Sequence, residues 1–315
     1  MDQDSAASAG SPPPLEAADE RAVLLVTHSG RESAVAISRA VARGLASRGV
    51  AVRVPADEVA DLTLDATDLP VQVWRPESGG CEIVVVVGGD GTILRAAEFA
   101  VAVDVPLLGV NLGHVGFLAE VESDAAADVV AAVVDRDYRV EERLAVDVRV
   151  LHGGKQQWRS FALNEASLEK TTRRQMIEVL LEINGHPLSR WGCDGVVVAT
   201  PTGSTAYAWS VGGPVVWPGV SAMLVAPISA HALFARPLVV DPATTVALEV
   251  AVDSQEAVLT CDGRRETPVA PGSRVEVTAL ARPVRLARLH TADFTDRLVA
   301  KFHLPVDGWR GGGPR

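Results

Sequence analysis

A glycine-rich turn with one aspartate at its centre joins an apolar run to a stretch with helical periodicity. The run Ile83 to Val87 is followed by Gly88-Gly89-Asp90-Gly91-Thr92. The glycines permit positive φ and let backbone N–H groups approach an anion, and a helix beginning near Thr92 adds partial positive charge. The turn therefore predicts a phosphate site. Asp90 would repel a polyphosphate there unless it binds a metal ion, accepts a proton or caps the helix.

Two familiar phosphate-binding patterns do not fit this turn. A dinucleotide-binding fingerprint requires glycine where the chain has Leu94, and no glycine-rich segment contains the GK[ST] of a Walker loop. Phosphate would therefore be held by backbone groups and by Arg95, one helical turn later. Two structural alternatives stay open: Asp90 as an ordinary N-cap, which aspartate favours, and Arg95 as a solvated surface side chain.

A second candidate is the adjacent pair Asn164-Glu165 in FALNEASLEK. Neighbouring residues of a strand point to opposite faces, so both can meet one ligand only at a strand end or bend. Asparagine offers a donor and an acceptor, and glutamate accepts hydrogen bonds from sugar hydroxyls. The competing interpretation is a polar strand edge.

The third candidate is the segment CDGVVVATPTGSTAYAWSVGGPVVWP, Cys193 to Pro218. Its apolar run predicts a buried strand, and TPTGST then opens a helix with hydroxyl groups and a glycine, as in an anion- or sugar-binding turn. Tyr207 is placed to stack on, or hydrogen-bond to, a base or ribose. His114 and His231 stand alone and receive no role, since a single histidine is more often structural.

The elements that position these residues alternate between strand and helix in the first half of the chain. Apolar strands begin at Ala22, Val50 and Ile83, and amphipathic helical patterns follow the first and third of them. Alternation of this kind predicts a parallel sheet with ligands at the carboxyl ends of its strands. After Tyr138, alternating apolar and polar strands with turn signals at Gly153-Gly154 and Asn184-Gly185 predict an antiparallel β-rich domain.

Composition restricts the function classes. The net charge of −11 argues against a nucleic-acid binder and against attraction to an anionic membrane. No apolar run approaches the roughly 20 residues that cross a bilayer. The N-terminus lacks the pattern of a signal peptide, and the three cysteines form no CxxC pair or zinc spacing, so we expect a cytoplasmic protein with reduced thiols.

The motifs, in their order along the chain, resemble those of bacterial NAD kinases. The resemblance extends from about Arg21 to Trp309, including FTDRLVAKFHLPVDGWR near the end. The GGDG turn also occurs in lipid kinases and echoes phosphofructokinases, whereas the NE and TPTGSTAY segments separate this chain from them. The motifs are GGDGT, NLGHVGFLAE, NEASLEK, CDGVVVATPTGSTAYAWSVGGPVVWP and PISAHALFARPLV.

The resemblance implies transfer of the terminal phosphate of ATP to the adenosine ribose 2′-hydroxyl of NAD, giving NADP; some family members also use inorganic polyphosphate. It implies a divalent metal, usually Mg²⁺, and a homodimer or homotetramer. The implied fold is an N-terminal α/β domain with a mainly parallel sheet and a C-terminal β-rich domain. The site lies in the cleft, and the chain end returns to the first domain.

We accordingly predict a disordered tail over 1–20, an α/β domain over 21–125 with about 286–309, a β-rich NAD-binding domain over 126–285 and a flexible tail over 310–315. Matched to the family motifs, the catalytic base is Asp90, and no metal ligand is assigned. The matched dinucleotide or phosphate contacts are Gly89, Gly91, Arg95, Asn164, Glu165, Asp194, Thr205, Ala206, Tyr207 and Ser210.

Two residues depart from the family pattern. Gln175 stands where a basic residue or histidine is frequent, and Arg264 stands where some members have glutamine after the second Asp-Gly. Two other functions are carried as alternatives. One is a lipid kinase of the GGDG type, and the other is a sensor that binds NAD(H) or a nucleotide without turnover.

Overall fold

The computed structural model describes residues 21–63, 68–75, 80–111, 116–119, 126–289 and 293–306. The predicted tails over 1–20 and 310–315, and His114, lie outside these ranges. The helices are α1 (Glu32–Ala46), α2 (Val59–Thr63), α3 (Asp90–Val103), α4 (Ala126–Asp135), α5 (Tyr207–Ser210) and α6 (Phe294–Phe302), with a 3₁₀ helix at Thr202–Thr205.

The strands of the first half are β1 (Ala22–Thr27), β2 (Ala51–Pro55), β3 (Val71–Trp74), β4 (Ile83–Val87), β5 (Leu107–Val110) and β6 (Arg139–Arg143). Those of the second half are β7 (Val146–His152), β8 (Lys155–Ala162), β9 (Glu165–Lys170), β10 (Ile177–Ile183), β11 (His186–Cys193), β12 (Gly195–Ala199), β13 (Met223–Ile228), β14 (Leu238–Val240), β15 (Val246–Val250), β16 (Ala257–Cys261), β17 (Arg265–Val269), β18 (Arg274–Ala279) and β19 (Val284–Arg288).

The first sheet has seven strands in the order β3-β2-β1-β4-β5-β19-β6, all parallel except β6. Strands β1 and β4 are buried on both faces, as their continuous Val and Leu runs predict. Alternate side chains pack against α1 and α4 on one face and against α3 on the other. The direction of winding reverses between β1 and β4, and the carboxyl ends of strands at such a point form a ligand crevice.

The boundary predicted at residue 125/126 lies too early in the chain. Helix α4 packs on α1, where a Cβ on Gly44 would lie 2.8 Å from Val130. Strand β6 then pairs with β19 in the first sheet. The βα alternation therefore continues to Arg143, because α4 covers the same sheet face as α1.

The second half consists of two six-stranded antiparallel sheets, in the orders β11-β10-β15-β18-β7-β8 and β14-β13-β12-β9-β16-β17. Their inner faces enclose one core of mainly Val, Leu and Ala, with Trp191 fully buried in it. The alternating burial of β10 and β18 agrees with their sequence pattern. The predicted fold class, an α/β domain followed by a β-rich domain, is confirmed.

The chain end returns to the first domain, as the resemblance implied. After β19 joins the first sheet, α6 packs its aromatic rings against both halves of the molecule. Phe302 lies 6.0 Å from Phe117 and 4.9 Å from Trp209, measured between ring centroids. Phe294 likewise lies 5.8 Å from Phe117 and 5.1 Å from Trp217. Helix α6 is therefore a packed link between the two halves.

Candidate active site

The GGDG turn lies at the carboxyl end of β4, beside the end of β1. None of the glycines in this turn has a positive φ, contrary to the expectation from the sequence. Gly88 is required by packing, because a Cβ there would lie 2.4 Å from Thr92 Oγ1. Space is open above Gly89 and Gly91, where a Cβ would have nothing within 4 Å. The turn therefore presents accessible backbone where a phosphate group would approach.

Asp90 does not cap the helix. Gly89 occupies the N-cap position without a side-chain bond, and Asp90 is the first residue of α3. Its carboxylate instead accepts hydrogen bonds from the backbone N–H groups of Phe117 and Leu118, both at 3.1 Å. Gly116 permits this approach, because a Cβ there would lie 2.4 Å from Oδ1. A carboxylate has about four acceptor positions, so both oxygens keep capacity for a further donor.

A cavity of about 570 Å³ opens beside the turn. Its walls come from the loop after β1, the GGDG turn and the β16–β17 turn of the second half. Three arginines and one aspartate line it, and this excess of cationic side chains favours an anionic ligand, although Arg95 and Arg264 also pair with carboxylates outside the lining. The lining residues are Thr27, His28, Ser29, Gly30, Arg31, Gly89, Gly91, Thr92, Arg95, Asp262, Gly263 and Arg264.

Arg95 lines this cavity and is held from behind by two carboxylates. Its guanidinium lies 2.7 Å from Asp57 and 2.5 Å from Glu58. Glu58 is buried and also accepts a hydrogen bond from the Thr27 N–H at 2.7 Å. Burial raises the pKa of Glu58 to about 7, although Arg95 acts in the opposite direction. Arg95 is thus a fixed cavity wall rather than a mobile surface side chain.

Asn164 and Glu165 lie at a strand junction, the geometry that the pair requires if both are to meet one ligand. Strand β8 ends at Ala162, and β9 begins at Glu165. The N–H groups of Leu163 and Asn164 donate to the Asp262 carboxylate at 3.0 and 2.7 Å. Since Asp262 also lines the cavity, this one side chain connects the bend to the phosphate-accepting space.

Glu165 has an unsatisfied acceptor. Its side chain is 8% exposed, and Oε2 is buried without a hydrogen-bond partner among the described residues. Burial, followed by the charge of Asp262, raises the pKa of Glu165 to about 7, while the backbone N–H of Tyr207 opposes the shift. Leaving such an atom unpaired is unfavourable, and a ligand hydroxyl would satisfy it.

The TPTGST segment crosses directly over the Asn164 bend. A Cβ on Gly203 would lie 2.1 Å from the Asn164 carbonyl oxygen, so this position requires glycine. Thr200 Oγ1 donates to the Leu163 carbonyl at 2.5 Å, and Ser204 Oγ donates to that of Pro201 at 2.7 Å. These two hydroxyls therefore hold the loop together, which differs from the anion- or sugar-binding role expected for the turn.

The remaining predicted contacts surround α5. Tyr207 Oη donates to Glu169 at 3.1 Å, and Asp194 forms an ion pair with Lys170. Burial raises the pKa of Tyr207 to about 12, with further contributions from Glu169, Glu165 and Asp194. These acidic groups therefore lie near one another. Thr205 and Ala206 are half-buried, and Ser210 is exposed at the end of α5.

Comparison with known proteins identifies the family of this chain. The ATP-NAD kinase N-terminal domain matches residues 23–138, and the ATP-NAD kinase C-terminal domain matches residues 163–289. An NAD kinase from Thermobifida fusca is 56% identical over 299 residues, which cover 92% of either chain. The chain belongs to the NAD kinase family. It is a phosphotransferase that phosphorylates NAD, as the motif resemblance implied.

Another relative matches this NAD kinase family member over most of its length, and two solved structures have the same fold. NAD kinase 2 from Streptomyces avermitilis is 55% identical, covering 92% of this chain and 97% of its own. Yeast NADH kinase complexed with NADH superposes with a TM-score of 0.81 at 20% identity, covering 93% and 90% of the two chains. An Archaeoglobus fulgidus NAD kinase in complex with ATP gives 0.63 at 25% identity, covering 84% and 92%.

A resident metal cage is not evident in the described ranges, which hold no group of three or more His, Cys, Asp or Glu suited to a metal ion. Mg²⁺ is commonly held by one or two carboxylates together with substrate phosphates, so such a cage is not required. Asp90, with acceptor positions left on both oxygens beside an anion-accepting cavity, fits that mode of binding.

Sequence reasoning missed several residues of the site. Asp262 entered the sequence analysis only as part of the Asp-Gly pair before Arg264, and its role depends on contacts 98 and 99 residues away. Glu169 could have been found, since it lies four residues after Glu165 and therefore on the same strand face. Arg31 and Glu58 left no local signal. No helix of the described chain is long and apolar enough to span a membrane.

Proposed function

We propose that the chain transfers the terminal phosphate of ATP to the adenosine ribose 2′-hydroxyl of NAD, with Asp90 as general base. The observation that carries the assignment is the pair of backbone N–H bonds fixing the Asp90 carboxylate beside the positively charged cavity. A ribose hydroxyl is a poor nucleophile near pH 7. Its phosphorylation requires positioning, charge neutralisation and a proton acceptor.

In the proposed reaction, the 2′-hydroxyl oxygen attacks the γ-phosphorus while its proton passes to Asp90. The bond from the γ-phosphorus to the β–γ bridging oxygen breaks, and ADP leaves with that electron pair. Backbone N–H groups of the turn and the cavity arginines face the donor's negative charge. Mg²⁺, held by Asp90 and the donor phosphates, would neutralise part of that charge when bound.

ATP is the proposed donor, and its phosphate chain would lie in the cavity lined by Arg31, Arg95 and Arg264. The Archaeoglobus fulgidus relative in complex with ATP supports this assignment. The same cavity chemistry suits inorganic polyphosphate, which we propose as a second donor. Arg264, at the position of the family's occasional glutamine, is the side chain in which a difference between donors would be expected.

The acceptor dinucleotide would occupy the second-half side of the cleft. We propose that its ribose hydroxyls contact Asn164 and Glu165, since Glu165 Oε2 has no hydrogen-bond donor among the described residues. Asp194, Tyr207 and the backbone near Thr205, Ala206 and Ser210 would contact the rest of the dinucleotide. The yeast neighbour in complex with NADH has the same fold, which is consistent with this arrangement.

The proposed mechanism is tested by measuring NADP formation with Mg²⁺ and either ATP or polyphosphate, in wild type and Asp90→Asn. Asparagine keeps the size of the side chain but removes its basicity, and its amide can accept only one of the two backbone N–H bonds, so we expect turnover to fall about 10²- to 10⁴-fold with NAD binding little changed. Near-normal turnover of Asp90→Asn would remove Asp90 from the role of base. Asp104→Asn, at the opposite end of α3, is the matched control and should keep full activity.

Adding diacylglycerol as an alternative acceptor to this assay separates the two competing functions. A GGDG-type lipid kinase would phosphorylate diacylglycerol in place of NAD, and a sensor would bind NAD(H) without forming NADP.

We further propose a cytoplasmic homodimer or homotetramer. The exposed apolar side chains Leu233 and Phe234 support self-association, and light scattering on the purified protein measures it.

A further inference from the structure

The backbone segment that holds Asp90 is itself held from its other side. The N–H groups of Phe117 and Leu118 donate to the Asp90 carboxylate. Their carbonyl groups accept hydrogen bonds from two arginines of the chain end. Arg288 Nη1 donates to the Leu118 carbonyl at 2.9 Å, and Arg297 Nη1 donates to the Phe117 carbonyl at 2.8 Å.

The Phe117 carbonyl and the Leu118 N–H belong to one planar peptide unit, which therefore links Arg297 directly to Asp90, and Arg288 holds the carbonyl of the next unit. Arg297 also donates to the Ala119 carbonyl at 3.3 Å, so one guanidinium spans the segment. Hydrogen bonds from a charged donor are stronger than neutral ones, and a carbonyl so held fixes the direction of its neighbouring N–H groups. The orientation of the Asp90 carboxylate therefore depends on side chains 170 or more residues later in the chain.

The two arginines differ in how firmly they are embedded. Arg288 lies on β19, is 7% exposed, and its Nε donates to Glu141 at 2.8 Å. Arg297 lies half-buried on α6. That helix has its own N-cap, because the Asp293 carboxylate accepts the Thr295 N–H at 2.8 Å, and its aromatic rings pack independently of Arg297.

We infer that Arg297 is a positioning residue for phosphoryl transfer, acting through the Phe117–Ala119 backbone on Asp90, with Arg288 as the buried anchor of the same segment. The inference rests on the proposed role of Asp90. Loss of the Arg297 bonds leaves the base present but less accurately directed. Misplacement of a reacting group by about 1 Å can cost about 100-fold in rate. Substrate contacts do not involve Arg297 in this scheme, so binding should be preserved.

The test is a double-mutant cycle between Arg297→Met and Asp90→Asn, measured as kcat and as KM for NAD and ATP. We expect Arg297→Met to lower kcat roughly 10- to 100-fold with both KM values within about twofold. Arg297→Lys should recover part of the rate, since an ammonium group can still donate to a carbonyl. Most decisively, Arg297→Met should slow the Asp90→Asn enzyme no further, because nothing remains for it to position.

Three results would overturn the inference: additive losses in the double variant, an effect confined to KM, or no loss in Arg297→Met. Arg282→Met, which removes an exposed arginine paired with Asp104, is the control for loss of a surface charge and should keep wild-type kcat. If Arg297→Met fails to fold, Arg297→Lys replaces it in the cycle, and its smaller loss of kcat must likewise disappear in the Asp90→Asn background; additive losses would overturn the inference. Normal turnover in Asp90→Asn would instead refute the proposed base, and the inference that rests on it would fail for that separate reason.

Discussion

Three carboxylates of the cleft differ in how their charge is balanced, and the difference separates their roles. Asp262 is buried and accepts hydrogen bonds from two backbone N–H groups and Arg265, so both of its oxygens have partners. Asp90 receives two N–H groups and keeps free acceptor positions. Glu165 is buried with one oxygen unsatisfied. A structural residue, a base and a ligand acceptor are the roles these environments favour.

Glu165 should make the stability of the protein depend on pH. Burial raises its pKa to about 7 in the folded state, against an ordinary value of 4.5. Below pH 4.5 the carboxyl is protonated in both the folded and the unfolded state, so its raised pKa has no effect on stability. Between pH 4.5 and about 7 only the unfolded state ionises, so the destabilisation grows over this range and is complete above pH 7. Glu165→Gln should therefore increase the free energy of unfolding by about 1–3 kcal/mol at pH 8 and by much less at pH 5. Urea unfolding at the two pH values measures this.

The matched control for that experiment is Glu178→Gln, which alters a half-exposed carboxylate paired with Arg190 on the same domain. It should change stability by only a few tenths of a kcal/mol at either pH, as exposed ion pairs contribute little. An equal gain for Glu165→Gln at pH 5 and pH 8 would show that burial of its charge is not the cause.

At the scale of elements, the site depends on two segments crossing without side chains between them. The TPTGST loop passes over the Asn164 bend at Gly203, and Thr200 donates to the carbonyl just before that bend. Neither segment alone forms the part of the cleft that we propose for the acceptor dinucleotide. The loop positions α5 and Tyr207, and the bend positions Glu165, so their relative placement is set at this crossing.

Gly203→Ala should therefore disturb the acceptor side of the site. Its Cβ would lie 2.1 Å from a backbone oxygen, which cannot move without shifting the bend. We expect a loss of stability of about 1–3 kcal/mol and a raised KM for NAD, with KM for ATP less affected. Gly219→Ala is the control, since a Cβ there has nothing within 4 Å. Equal behaviour of the two variants in unfolding and kinetics would contradict the close crossing.

At the scale of the whole molecule, α6 connects the segment that holds Asp90 to the helix that carries Tyr207. Phe302 lies between Phe117 and Trp209, and these rings belong to different halves of the chain. The two halves also meet at the cavity, where Asp262 and Arg264 face the GGDG turn. The chain end thus takes part in assembling the cleft as well as completing the first sheet.

Removing the central ring should loosen this assembly. Phe302→Ala is expected to lower the free energy of unfolding by about 1–2 kcal/mol, because the ring is half-buried, and to change the fluorescence of Trp209. Activity should fall while the three sheets keep their circular dichroism. Leu304→Ala, at an exposed position just after α6, is the control and should have little effect. An unchanged Trp emission in Phe302→Ala would argue against the contact.

Strands and turns that are set by a local pattern of residues could be predicted from the sequence alone. Continuous Val and Leu runs predicted β1 and β4 as strands buried on both faces, because only side chains without polar groups are tolerated there. The GGDG turn and the position of the helix after it were also readable, since each is set by residues within one or two turns, whereas the pair Asn164-Glu165 fitted a polar strand edge equally well. The ordered motifs added the family and the fold.

Contacts between groups that are distant along the chain could not be read from local pattern. Asp90 could have capped its own helix, and instead it bonds to backbone 27 and 28 residues later. The extension of the first sheet to β6, the support of Arg95 by Glu58 and the link through α6 were equally unreadable. The physical reason is that periodicity reports which face of an element is buried, but not against which partner, and that choice is made by packing of the whole chain.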